Sequence, residues 1–78
     1  RAWWRDESGE KRLFSGEVSR IHGGGAFVQA VPENFKAFFW RQYGINADLR
    51  EGDKVQFLVG FNAFGARAQI ARWDKTRQ

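Results

Sequence analysis

In one five-residue stretch of the chain, a basic and two aromatic side chains occupy every second position. This pattern could bind a flat anionic ligand. Lys36, Phe38 and Trp40 occupy alternate positions, and Ala37 and Phe39 lie between them. Because successive side chains of a β-strand point to opposite faces, the first three would share one face. The lysine marks that face as the one in contact with water. An exposed ring there could stack on a planar group while a cation pairs with its charge.

The preceding apolar segment predicts a further exposed ring, at Phe27. Positions 26, 28 and 30 are small and apolar, whereas Phe27 shares its parity with Gln29. We therefore expect Phe27, Phe38 and Trp40, here called the aromatic platform, to form a coplanar shelf in solvent. Exposed apolar surface of this kind usually marks a contact site. The alternative is that these strands are buried on both faces, or that the N-terminal residues cover the rings.

The composition favours a small basic binding domain over an enzyme. The 78 residues include no cysteine, and the net charge of +4 attracts polyanions. His22 is the only histidine, and the acidic residues of the central region fall at predicted turns, so we expect no catalytic site, no metal and no cofactor. No apolar run is long enough to cross a bilayer, which favours a cytoplasmic protein without membrane contact.

The elements that must position these side chains are predicted to be β-strands. Short segments rich in β-branched and aromatic residues alternate with turn signals, which is typical of a small all-β barrel or sandwich. The predicted strands are Leu13–Ile21, Gly25–Val31, Phe35–Trp40, Lys54–Phe61 and Ala66–Trp73. In the last two, the odd positions 55, 57 and 59 and the even positions 66, 68 and 70 are expected to point inward, with Trp73 outward.

The strands define one domain over residues 13–74, with tails at 1–12 and 75–78. The first tail contains Trp3 and Trp4. These rings could fold back to extend the core, or they could provide an additional stacking or partner contact. The chain begins with Arg1 and not with methionine, so we expect a fragment of a larger protein or a processed chain.

These segments, in this order, resemble the cold-shock domain. SGEVSRI is similar to the first strand of that family, GGGAFV to its first ribonucleoprotein motif and AFFW to its second. The segment LREGDKVQFLVGFNAFGARAQIARW has the closest similarity. The resemblance covers 14–73 and implies a five-stranded antiparallel OB-fold barrel that binds single-stranded RNA or DNA. It also implies that Phe27, Phe38 and Trp40 stack on bases.

The chain departs from the family pattern at several positions of the expected stacking surface. Gly25 stands where the first motif has its first phenylalanine, and Gly23 stands where it has a lysine. Arg20 replaces an exposed tryptophan of the first strand, and Arg41 replaces the phenylalanine that closes the second motif. Arginine can stack on a base and contact phosphate at the same time, so both substitutions are compatible with nucleic-acid binding.

The sequence therefore predicts binding of single-stranded RNA or DNA with low sequence specificity. Lys54 is a further candidate cation. The alternative is a protein-interaction module, with a partner or a second copy bound through the aromatic platform or through Trp3 and Trp4. The candidate nucleic-acid-binding residues are Arg20, His22, Phe27, Lys36, Phe38, Trp40, Arg41, Tyr43, Phe61, Phe64 and Arg67.

Overall fold

The computed structural model describes residues 2–42 and 44–74, and this part of the chain is all-β, as predicted. It contains no α-helix, and no helix in it has the length and apolar character needed to cross a membrane. A short 3₁₀ helix, Gly44–Asp48, lies in the longest connection between strands of the ring. The strands are β1 (Ala2–Trp3), β2 (Leu13–His22), β3 (Gly25–Ala30), β4 (Lys36–Trp40), β5 (Lys54–Asn62) and β6 (Gly65–Trp73).

The five predicted strands form a closed ring. The order of neighbours is β5, β2, β3, β4 and β6, and pairing between β6 and β5 closes the ring. Four of the five pairings are antiparallel, but β4 runs parallel to β6, where Phe38 pairs with Arg67. The expectation of a wholly antiparallel arrangement is therefore wrong at this one junction.

A sixth strand, β1, pairs with the last part of β5, beyond the residues of β5 that pair with β2. Ala2 pairs with Phe61 and Trp3 with Gly60, and the Trp4 amide donates to the Val59 carbonyl at 2.8 Å. The Trp4 ring stacks on Phe35 with the centroids 5.3 Å apart. Of the two roles left open for these tryptophans, packing against the core therefore applies to Trp4.

A compact turn connects β1 to β2. One carboxylate oxygen of Asp6 accepts hydrogen bonds from the Ser8 hydroxyl at 2.7 Å, the Ser8 amide at 2.9 Å and the Glu10 amide at 3.1 Å. These bonds, above all the one from the Ser8 hydroxyl, lower the pKa of Asp6 because they favour its charged form. The Arg12 amide then donates to the Trp4 carbonyl at 2.8 Å, which brings the two ends of the turn together.

The core lies inside the ring, and most of it consists of alternate side chains along the strands. The parities predicted for β3, β4 and β5 are confirmed, since the inward side chains are almost fully buried. On β6, Trp73 was expected to point outward but is half-buried and packs against the core. The buried apolar residues are Phe14, Val18, Ala26, Val28, Ala30, Ala37, Phe39, Leu49, Val55, Phe57, Val59, Ala68 and Ile70.

Gly16 permits a close backbone approach between β2 and β3. Its Cα pairs with Ala30 on β3 and with Val55 on β5, so β2 has a neighbour on each side at this point. A Cβ at this position would lie 2.1 Å from the Gln29 carbonyl oxygen. Only glycine therefore fits where β2 crosses from one neighbour to the other.

Candidate nucleic-acid interface

A β-bulge in β2 determines which of its side chains reaches the outer face beside the platform. The pairing register with β3 shifts between Val18 and Arg20, so Ser19 has no opposite residue. As a result Val18 faces Val28 inside the ring, whereas Arg20 faces Phe27 outside it. The Ser19 hydroxyl donates to the Phe27 carbonyl at 3.4 Å. Bulges re-aim side chains in this way at the edges of functional sites.

Four outward residues form one cross-strand row over four strands. Arg20 on β2 is opposite Phe27 on β3, Phe27 is opposite Phe38 on β4, and Phe38 is opposite Arg67 on β6. Directly opposite residues on antiparallel strands have Cβ atoms about 4.5–5.5 Å apart. The Phe27 and Phe38 rings are in contact, with their centroids 5.4 Å apart. The guanidinium carbon of Arg67 lies over the Phe38 ring, 5.0 Å from its centroid. The row therefore has a cation at each end and two rings between them.

Two further rows flank the first one. On one side, His22 is opposite Gly25, which in turn is opposite Trp40. On the other side, Gln29 is opposite Lys36. His22 and Lys36 are exposed, so both can reach a ligand that lies across the rings.

The three platform rings are exposed to different degrees and are not coplanar. Trp40 is 58% exposed and Phe27 37%, while Phe38 between them is half-buried. Phe38 meets Phe27 at 5.4 Å and 73° and Trp40 at 4.9 Å and 88°, measured between centroids and ring planes. Edge-to-face pairs of this kind are favoured because the positive edge of one ring meets the negative face of another. The exposed cluster is therefore confirmed, but the expectation of a coplanar shelf is wrong.

The N-terminal residues do not cover the platform. Trp4 contacts Phe14, Phe35 and Phe61, which with it form a second aromatic cluster. The Lys11 ammonium lies over the Trp3 ring, 4.4 Å from its centroid. The alternative in which β1 and its neighbours hide the exposed rings is therefore wrong.

Gly25 forms the floor beneath Phe38. A Cβ built on Gly25 would lie 2.4 Å from Cζ and 2.5 Å from Cε1 of that ring. The Phe38 ring therefore occupies the space that any side chain at position 25 would take. This contact was not predicted. The feature of the sequence that could have indicated it is Gly25 itself, a glycine where the cold-shock motif has a phenylalanine.

Arg41, which was predicted to contact phosphate, makes structural contacts with the connection between β4 and β5. Its guanidinium donates to the Leu49 carbonyl at 3.2 Å and to the Ala47 carbonyl at 3.4 Å, and its Nε is buried without a partner. The side chain therefore holds the connection that contains the 3₁₀ helix. Tyr43, another candidate, lies outside the described residues.

The structure places Phe61 and Phe64 apart from the three platform rings. Phe61 belongs to the second aromatic cluster, with its centroid 6.0 Å from that of Trp4. Phe64 is 84% exposed in the β5–β6 turn, where its amide donates to the Asn62 side chain at 2.8 Å. Neither ring is in the cross-strand rows that hold Phe27, Phe38 and Trp40.

Lys54 lies at the far end of the flanking row that contains Gln29 and Lys36, because it is opposite Glu17, which is opposite Gln29. Its ammonium pairs with the Glu17 carboxylate at 2.7 Å, and both groups are largely exposed. Lys54 lines an open groove of about 610 Å³, and none of the platform residues contributes to it. The lining residues are Ser15, Gly16, Val31, Lys54, Val55, Gln56, Arg72, Trp73 and Asp74.

Several acidic side chains contribute to the fold through turn contacts. The buried Asp53 carboxylate accepts the Arg50 amide at 2.9 Å, and Glu51 accepts the Ile21 amide at 3.0 Å. Glu33 pairs with Arg12 at 2.6 Å. Within residues 2–42 and 44–74, no three His, Asp or Glu side chains come together as ligands for a metal ion.

Comparisons of the chain with protein-family models, with curated proteins and with solved structures gave no match. The resemblance to the cold-shock domain therefore rests on the sequence segments quoted above. The fold and the site define a class: an all-β protein whose ring of five strands presents two phenylalanine rings between two arginines, with an exposed tryptophan beside them.

Proposed function

We propose that the chain binds single-stranded RNA or DNA in the cytoplasm, with low sequence specificity, through the aromatic platform and its flanking cations. In this proposal the ring is a divergent OB-fold barrel of the cold-shock type. The observation that carries the proposal is the cross-strand row of Arg20, Phe27, Phe38 and Arg67. In this row the aromatic rings can stack on bases and the arginines can pair with the phosphates that connect them.

A single strand is favoured over a duplex because the two expose different surfaces of the bases. In a duplex the base faces are stacked inside, whereas a single strand can turn them toward protein rings. Each base stacked on an aromatic side chain contributes roughly 1–3 kcal/mol, and phosphate contacts add an electrostatic contribution that salt weakens. Stacking depends on the π-face, which every base has, and this is why low sequence specificity is expected.

The proposal is tested by titrating the protein into fluorescein-labelled heptathymidylate and heptauridylate and measuring anisotropy. We expect binding at low salt, a steep loss of affinity as salt rises, and little competition from a duplex of the same length. Absence of binding to both oligomers at low salt would refute the proposal. Equal affinity for the duplex would show that backbone charge alone is recognised.

A pair of matched tryptophan variants connects this binding to the platform. Trp40→Ala removes the most exposed platform ring, whereas Trp3→Ala removes the same side chain from β1. We expect the first to weaken heptathymidylate binding by roughly 5- to 150-fold, the equivalent of one stacked base, and the second by less than about threefold. Similar losses in the two variants would argue against the platform as the site.

A second candidate function is a protein-interaction module, favoured by apolar exposure beyond the platform. Leu13 is 49%, Val31 57%, Phe61 41% and Phe64 84% exposed. A partner protein or a second copy could cover such residues. In this case the platform variants would change the sedimentation coefficient or the capture of a partner, and oligonucleotide affinity would be absent.

A further inference from the structure

We infer that Phe38 is a positioning residue and that the site has two base-stacking positions, one on Phe27 and one on Trp40. This inference rests on the proposed function. It departs from the family resemblance, which implies that all three rings stack on bases. The ligand would be a two-nucleotide step of a single strand, with its bases on either side of Phe38.

The first argument is the crowding around the Phe38 ring. Phe27 and Trp40 contact it edge-to-face at 5.4 and 4.9 Å, and the Arg67 guanidinium lies over it at 5.0 Å. Gly25 lies against the ring at Cζ and Cε1. A base that stacked on Phe38 would have to displace the Arg67 guanidinium from the ring.

The second argument is the exposure of the outer two rings. Phe27 and Trp40 are both more exposed than Phe38. Each stands steeply to the Phe38 plane, at 73° and 88°, so Phe38 fixes the tilt of both. Two steep neighbours cannot share one continuous stack with the ring between them, and each offers its own surface to a base.

The third argument is the distribution of polar groups around the two positions. Arg20 is opposite Phe27 across the strands, and His22 lies in the same row as Trp40. The Arg67 guanidinium lies over Phe38, the ring that separates the two stacking positions, and in this inference it contacts the phosphate that joins the two nucleotides. Each position therefore has a polar neighbour, and the guanidinium serves the linkage between them.

Leucine substitutions distinguish positioning from stacking, because leucine fills space but has no π-face. We expect Phe38→Ala to weaken heptathymidylate binding and Phe38→Leu to restore it to within about threefold of the wild type. Phe27→Leu and Trp40→Leu should each remain weakened by roughly 5- to 150-fold. A Phe38→Leu variant as weak as Trp40→Leu would overturn the inference, provided that circular dichroism shows both variants folded.

Gly25→Ala gives an independent test, because its Cβ would collide with the Phe38 ring. We expect this substitution to weaken binding in the wild-type background and to have no effect in the Phe38→Leu background, where the smaller side chain leaves room. Additive losses in the double variant would contradict the inference. If the wild-type protein does not bind heptathymidylate, the proposed function fails; if it binds and only these variant patterns fail, the two-position site is wrong.

Discussion

At the residue scale, the two arginines at the ends of the cross-strand row differ in their surroundings. Arg20 is exposed on β2, and the side chain of Arg67 lies partly over Phe38. An exposed guanidinium keeps its rotamer freedom until a phosphate binds, whereas one held over a ring is already oriented. We therefore expect Arg20 to act mainly through the ionic part of the affinity.

The prediction for Arg20 concerns the salt dependence of binding. Arg20→Ala should reduce the slope of log affinity against log salt by about 0.7, the contribution of one phosphate contact to a single strand. Arg72→Ala is the matched control, since that arginine lines the groove away from the platform. Anisotropy titrations at four salt concentrations measure both slopes. An equal change in the two variants would mean that net charge, and not position, sets the affinity.

Sequence reasoning predicted which rings face outward but not how they are tilted. Side-chain parity follows from strand geometry, so the outward placement of Phe27 and Trp40 could be read from their neighbours. The tilt of each ring depends on contacts between strands that are distant in sequence, including the one between Phe38 and Gly25. For the same reason the contacts of Arg41 with the 3₁₀ connection could not be predicted from its position beside the platform.

At the scale of elements, β1 shows how a two-residue strand can be held by one side chain. Its pairing with β5 is short, but Trp4, directly after it, contacts three phenylalanines at 4.9–6.0 Å. Burial of an indole against a core contributes more than two ladder hydrogen bonds. The attachment of the N-terminal residues therefore depends on Trp4 more than on backbone pairing.

The prediction for β1 is a difference in stability between two adjacent tryptophans. Trp4→Ala should lower the free energy of unfolding by about 2 kcal/mol, because it removes a half-buried ring from the second aromatic cluster. Trp3→Ala, whose ring meets the Lys11 ammonium near the surface, should lower it by less than about 1 kcal/mol. Urea denaturation monitored by far-ultraviolet circular dichroism compares the two. A larger loss for Trp3 would contradict the proposed role of Trp4.

The five ring strands could be predicted to within one residue at every end, because each has its own alternation and turn signals. The bulge at Ser19 and the strand β1 could not. Both depend on which distant strand lies opposite, and a two-residue strand has no periodicity of its own. Sequence patterns therefore predict the positions of strands well, but they do not predict which strands pair with one another.

At the scale of the whole molecule, Gly16 lies where β2 pairs with both of its neighbours in the ring. β2 is the strand that connects β3 to β5, and it does so with its backbone close to that of Gln29. No side chain there can rotate away from a carbonyl oxygen that belongs to the neighbouring main chain. At position 16, the backbone of the neighbouring strand therefore restricts the residue to glycine.

The prediction for ring closure compares two glycines. Gly16→Ala should lower the free energy of unfolding by about 3 kcal/mol, since its Cβ would overlap the Gln29 carbonyl and force β2 and β3 apart. Gly24→Ala is the control: nothing lies within 4 Å of its Cβ, and its effect should stay within about 0.5 kcal/mol. Thermal melts of both variants test this, and a stable Gly16→Ala protein would disprove the tight approach.

The parallel junction between β4 and β6 has a consequence for how the molecule would respond to a ligand. Phe38 and Arg67, the register pair that joins these strands, also occupy the middle and one end of the cross-strand row. The backbone pairing of β4 with β6 thus occurs at the same two residues whose side chains a polyanion would touch. A bound oligomer would contact both strands of this junction. Binding and the pairing of β4 with β6 would therefore stabilise each other.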